Sequence, residues 1–297
     1  MIKRITMRLA SLALILAILL GISSCGGTPT SGSEIYAESV ASVPEFDGKA
    51  YVIINGNIPF FTEEEITSES FERYSPLDGL GRCGVAFACI GQDLMPTEER
   101  DFSLSAITPS GWVNVKYDFV DGNYLYNRAH LIGWQLTAEE TNKLNLITGT
   151  RFMNTQGMLR FENIVADYIK ETENHVMYRV TPIYDGANLV ARGVLMEAYS
   201  VEDAGDGVCF CVYVYNNQPG VRINYADGTS KKDDGVPFPE EDKVEIPSGE
   251  VTYIYNVSTM KFHLPSCRYA TGSNVREHYG EREELVPIYT PCKVCNP

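Results

Sequence analysis

Five residues between Asn123 and Glu162 are of the types that hydrolysis of a phosphodiester requires. His130, one of four histidines in the chain, offers a base, and Arg128, two residues earlier, offers a cation. Asn145 and Asn154 offer neutral oxygen donors, and Glu162 offers a carboxylate. The reaction needs an activated water, charge stabilisation at the phosphoryl oxygens and help for the leaving 3′-oxygen. A histidine at its ordinary pKa of ~6.5 is substantially neutral at working pH, which suits a base. On an extended segment residues i and i+2 share a face, so Arg128 can hold a phosphate oxygen beside His130. An asparagine amide is a weak hard ligand; it suffices for Mg²⁺, which keeps several waters and takes a further ligand from substrate phosphate.

Each of these residues also has an ordinary reading. A lone histidine is commonly a satisfied core residue. Asn154 at a helix approach can be an N-cap, Asn145 a turn residue, and Glu162 a solvated helix glutamate two turns along. Their joint spacing favours chemistry over these separate roles.

The segment Asn127-Arg-Ala-His130, then Asn145-Leu-Ile-Thr-Gly-Thr-Arg-Phe-Met-Asn154 and Phe161-Glu162, resembles the bacterial branch of the DNA/RNA non-specific endonucleases with a ββα-metal finger. The likeness runs from about Tyr51 to Tyr225 and takes in Leu77–Arg82 and Thr108–Trp112. It implies His130 as general base, Asn154 as the Mg²⁺ ligand and Arg128 as a phosphate contact, with Asn145 and Glu162 supporting the metal site. DNA, and RNA with it, would be cut with little sequence specificity to leave 5′-phosphates, since backbone contacts carry no base information. The chain departs from the family's Asp-Arg-Gly-His pattern at Asn127 and Ala129. It also has Ala166 where some members carry a further arginine.

Periodicity places these residues on elements. Ala50–Asn55, Gly84–Ile90, Trp112–Tyr117 and Tyr124–Ile132 read as strands, the last carrying His130 near its end. Apolar residues at helical spacing over Met158–Ile169 predict an amphipathic helix with one face on a core. Val176–Tyr184, Asn188–Tyr199 and Val208–Tyr215, separated by Asp-Gly and Gly-Asp-Gly turns, read as an antiparallel meander. The expected fold is α+β: a central antiparallel sheet with a ββα-metal finger, plus a small zinc-stapled C-terminal domain.

The two ends of the chain read differently. Lys3, Arg4 and Arg8 precede an apolar run, Leu9–Ile22, too short for a comfortable span of ~20 residues. Ile22-Ser-Ser-Cys25 follows, which resembles a bacterial lipoprotein signal; an ordinary signal peptide and an uncleaved anchor are the alternatives. The expected organisation is a signal peptide (1–24), Cys25 as the acylated residue of a flexible tether (25–45), a nuclease domain (46–225), an acidic Pro/Gly linker (226–250) and a small domain (251–297). The protein would then be exported and held to the membrane by its lipid, on the extracytoplasmic side of a bacterial cell. A segment as short as 251–297 needs a staple. His263, Cys267, Cys292 and Cys295 match a closed tetrahedral Zn²⁺ site, and one or two disulfides are the alternative in an exported protein. Cys83, Cys89, Cys209 and Cys211 are left either to pair or to stay as buried small hydrophobes.

The net charge is −15, with −11 over 46–225 and −5 over 226–250. Such a balance excludes a general nucleic-acid-coating protein. The stretch from Asn123 to Glu162 is locally neutral to basic, so the sequence predicts weak, salt-sensitive substrate binding with fast release. Two rival classes remain at this level: a non-catalytic surface module binding nucleic acid on a nuclease-derived fold, and a phosphodiesterase of small nucleotides. A binding module has no need of a base beside a metal ligand.

Overall fold

In the computed structural model the described residues are 32–99, 103–239, 251–256, 261–267, 270, 275–286 and 289–297. The chain divides into Met1–Glu38 and Ser39–Pro297. The signal peptide and Cys25 lie outside the described residues. In the stretch read as a flexible tether, Gly32–Ala41 forms a helix, α1. Among the described residues no helix is long and apolar enough to cross a membrane.

From Tyr51 on, the first strands are β1 (Tyr51–Ile53), β2 (Phe71–Tyr74), which falls in a polar, Glu-rich stretch without strand periodicity, β3 (Ala86–Ile90) and β4 (Tyr126–His130). A single helical turn, α2 (Trp134–Thr137), leads to β5 (Leu146–Thr150). A π-helical turn over Met153–Met158 then runs directly into α3 (Leu159–Thr172). The meander follows as β6 (Val176–Ile183), β7 (Gly193–Ser200) and β8 (Cys209–Tyr215). Six strands form one antiparallel sheet in the order β1-β8-β7-β6-β3-β2.

The sheet's central strands are nearly continuous runs of buried residues because α3 covers one face. Phe161, Ile164, Val165, Tyr168 and Ile169 of α3 pack into the cluster that holds Tyr178, Val194, Met196 and Val212. Each such side chain contributes ~1.5–3 kcal/mol on burial, which outweighs the modest helix propensity of the β-branched residues among them. Glu173 ends the helix in a left-handed conformation (φ 61°) and bonds back to the Ile169 carbonyl.

Two expectations are corrected here. Trp112–Tyr117 is not a strand; its only ladder contact is a bridge from Lys116 to Tyr124. The Asn114 amide instead takes both backbone groups of Tyr126, accepting from its N–H and donating to its C=O at 2.9 Å each. A side chain has replaced the strand partner. The stretch read as a linker from residue 226 is also structured at its start. A hairpin of β9 (Val221–Ile223) and β10 (Ser230–Lys232) spans the expected boundary. Its turn places Gly228 at φ +83°, where a Cβ would collide with the Gly111 carbonyl. Asp-Gly-Thr-Ser-Lys-Lys has the composition of a linker, yet it is a turn and an exposed strand.

The tail carries β11 (Tyr253–Asn256), β12 (Lys261–His263), β13 (Val275–His278), a helical turn α4 (Arg282–Leu285) and β14 (Thr290–Pro291). These strands form a four-stranded sheet in the order β13-β11-β12-β14. Phe262, at the centre of it, is fully buried.

Candidate active site

Strands β4 and β5 pair only with each other, and the helix follows at once, giving a ββα unit laid against the main sheet. Arg128 pairs with Thr148 and His130 with Leu146, so both chemical side chains share one face, as their spacing requires. Ala129 points the other way and is fully buried. The room that the family's glycine would supply comes from across the ladder. A Cβ on Gly149 would meet the Ala129 Cβ at 2.7 Å and Met153 Cε at 2.6 Å.

His130 is half-buried, and its Nε2 lies 3.2 Å from the Glu140 carbonyl oxygen. A carbonyl only accepts, so Nε2 is the donor in this contact, which fixes the orientation of the ring. Asn145, fully buried, fixes the end of the His130 strand. Its amide oxygen accepts from Ile132 N–H and its NH₂ donates to Ile132 C=O, both at 2.9 Å, while its own carbonyl accepts from Leu131 N–H at 2.8 Å. Both ends of the amide are used there. Asn145 is a positioning residue, removed from the reacting atoms.

Asn154 sits in the π-turn and is half-buried. It is not the helix cap, because Thr150 Oγ1 accepts from Met153 N–H at 3.0 Å and takes that role. The turn is tied to the main sheet through residues that periodicity does not reveal. Asn216, fully buried, accepts from Thr150 N–H at 2.8 Å and donates to Thr148 and Ala191 carbonyls at 3.0 and 2.9 Å. Gln218 accepts from Phe152 N–H at 3.1 Å. The π-turn carries an extra residue, which breaks the regular phase between Asn154 and Glu162.

His130, Arg128 and Asn154 line one open cavity of about 520 Å³, with Asn127, Arg151 and Tyr124 among its other walls. Arg128 lies over the Trp112 ring at 4.4 Å and donates to the carbonyls of Ile107 and Ser105. Arg151 directs both Nε and Nη2 to Asp121 Oδ2, at 2.9 and 2.7 Å. The neutral oxygen donor sharing the cavity with His130 is the Asn154 amide. Such a donor fits a hard, hydrated divalent cation such as Mg²⁺.

Glu162 is not a wall of this cavity. It is buried beneath it, its carboxylate so close to Gly133 that a Cβ there would fall 2.6 Å from Oε2. Burial pushes the carboxyl up to about 7, against a smaller opposing hydrogen bond from Gln135. The folded state therefore holds this proton where the unfolded chain, near 4.5, has lost it. Between those two values the folded state binds more protons, and stability falls as pH rises. In metal-free protein the loss is on the order of 3 kcal/mol above about pH 7. Glu162→Gln is expected to raise Tm at about pH 8 and to change it little at about pH 4. Thermal melts in EDTA check this, and an equal shift at both pH values would contradict it. Ala166, the missing arginine position, is buried in the core and offers no path to the cavity.

In the tail, His263, Cys267, Cys292 and Cys295 bring their ligand atoms within 4.8 Å of one another. A tetrahedral Zn²⁺ with Zn–S near ~2.3 Å sets ligand separations of ~3.8 Å. His263 Nδ1 is buried and makes no hydrogen bond, as suits a nitrogen directed at a metal. Cys83, Cys89, Cys209 and Cys211 are free thiols; burial raises the pKa of all four.

A family model described as DNA/RNA non-specific endonuclease matches residues 62–202. A deoxyribonuclease from Streptococcus dysgalactiae subsp. equisimilis is 29% identical over 209 residues, covering 56% of this chain and 62% of that one. The chain thus spans less than two thirds of that relative's length. Among solved structures, Sda1 nuclease with bound zinc ion is 27% identical with a TM-score of 0.55, covering 62% of this chain and 97% of the other. NucA from Streptococcus agalactiae, with magnesium ion bound, is 20% identical with a TM-score of 0.57, covering 68% and 95%. At that identity NucA shows the fold alone. The ββα unit and the His130 cavity lie within residues 62–202, which match the DNA/RNA non-specific endonuclease family.

Proposed function

We propose that the protein is a Mg²⁺-dependent endonuclease that hydrolyses DNA, and RNA with it, with little sequence specificity. The observation that carries this is the cavity where His130, its ring held through Nε2, meets Arg128 and the amide of Asn154. His130 Nδ1 takes the proton of the attacking water. The Nε2–H contact to Glu140 and the Asn145 clamp hold the ring in place as it gains charge. Arg128, fixed by two carbonyls and the Trp112 ring, presents its cation to a non-bridging phosphate oxygen. Asn154 would hold Mg²⁺, which when bound stabilises charge developing on the phosphate and the leaving oxygen. Loss of the 3′-oxygen leaves 5′-phosphates. Plasmid digestion with Mg²⁺ tests this reading: EDTA should stop it, and the fragments should religate without a kinase step. Ends that require a kinase would exclude the proposed direction of attack.

The tail is a structural Zn²⁺ module and Cys25 the lipid-anchoring residue of an exported protein. The four convergent ligand atoms support the first reading, and the Ile-Ser-Ser-Cys sequence the second. Metal analysis of the purified chain is expected to find about one zinc per chain. Cys292→Ser with Cys295→Ser should remove it. A full zinc content in that double variant would contradict the ligand set.

A further inference from the structure

The cavity's aromatic residues are not equivalent. Trp112 is covered by Arg128, and Tyr126 is buried with its hydroxyl donating to the Gly228 carbonyl. Tyr124 alone among them is 48% exposed, and Lys116 Nζ stands 4.8 Å from its ring centre. Two consecutive left-handed residues, Gly122 (φ 70°) and Asn123 (φ 64°), turn the chain sharply just before it. A backbone bond from Tyr117 N–H to Asn123 C=O at 2.8 Å holds that turn. Farther along the same loop, Phe119 is 39% exposed, 5.6 Å from the Tyr117 ring and 5.8 Å from Lys232 Nζ. The Tyr117 hydroxyl and Ser230 Oγ, 2.9 Å apart, fix the loop to β10.

Few cations on this rim are left to grip a duplex: Arg151 is paired with Asp121, Arg128 serves the reacting phosphate, and Lys116 and Lys232 each stand beside a ring. A duplex presents phosphates and groove edges, so gripping it depends on uncommitted positive charge. This acidic protein has little of that on the rim. It has instead two exposed rings, each with a cation beside it: Tyr124 on the cavity wall and Phe119 on the adjoining loop. Such rings stack on any base, but only when the base is unpaired and can leave its neighbours.

We infer that the Tyr124–Phe119 rim is a stacking platform that makes single-stranded nucleic acid the preferred substrate of this site. Tyr124 takes a base within the cavity, Phe119 takes one farther along the strand, and Lys116 and Lys232 lie against the intervening phosphates. This rests on the nuclease reading of the same cavity.

The test compares kcat/KM on labelled single strands and duplexes of equal length and mixed sequence, at one salt concentration. The full chain should cut the single strand at least ~5-fold better. Tyr124→Ala should lower that ratio ~5-fold, towards one, mainly through KM, while Tyr124→Phe keeps it. A ratio at or below one, or one that Tyr124→Ala leaves unchanged, overturns the inference. Fluorescence anisotropy separates this from the nuclease reading. If neither substrate is cut, the nuclease reading fails. The platform then stands or falls on whether Tyr124→Ala weakens single-strand binding more than duplex binding.

Discussion

His130→Ala is expected to lower kcat for nucleic-acid cleavage by ~10²–10⁴-fold, with KM changed far less. The substitution removes the only imidazole among the described residues of the cavity wall and leaves the strand that carries it intact. That strand end is held by Asn145, three of whose hydrogen bonds go to the backbone of Leu131 and Ile132. The fold should therefore survive, and thermal melts should show a small shift. Asn145→Ala would fail differently. It strands two buried backbone groups at ~1–3 kcal/mol each, so stability should fall together with activity. Steady-state kinetics and melts on the two variants separate a base from the residue that positions it. A large Tm loss in His130→Ala would mean that the histidine is a core residue, the ordinary reading its spacing overrode.

Asn154→Ala should have the second largest effect, and metal concentration should reveal it. Thr150 already caps the turn, so the Asn154 amide has no cap to lose. Its removal should raise the Mg²⁺ concentration needed for half-maximal cleavage by ~10–100-fold, the range in which protein groups around a metal act. Activity should recover as Mg²⁺ is raised. An activity loss that no metal concentration repairs, accompanied by a lower Tm, would instead mark Asn154 as a structural part of the π-turn.

The elements that carry this chemistry were legible because their side chains alternate or repeat on a buried face. The β4 strand, the meander and α3 each bury one regular set of apolar residues. His130 and Arg128 fell on one face for the same reason. What escaped the sequence depends on partners distant in the chain or on hydrogen-bond register. The π-turn adds one residue without disturbing the apolar pattern of α3, so the angle between Asn154 and Glu162 could not be foreseen. Glu162 reads as an exposed helix position, yet Gly133 admits its carboxylate into the core. Asn114 imitates a strand partner, and Asn216 joins β5 to the main sheet across 66 residues. Neither asparagine carries a local signal that sets it apart from a turn residue. The tail was legible for a different reason: one histidine and three cysteines mark a candidate metal site by type and spacing, and the fold brings their ligand atoms within 4.8 Å of one another.

The claim that a single oriented imidazole drives metal-dependent hydrolysis is tested most directly by plasmid cleavage with three preparations side by side. These are the full chain with Mg²⁺, the full chain with EDTA, and His130→Ala with Mg²⁺. The account predicts degradation in the first and intact plasmid in the other two over the same period. Undiminished degradation by the His130→Ala protein would contradict it.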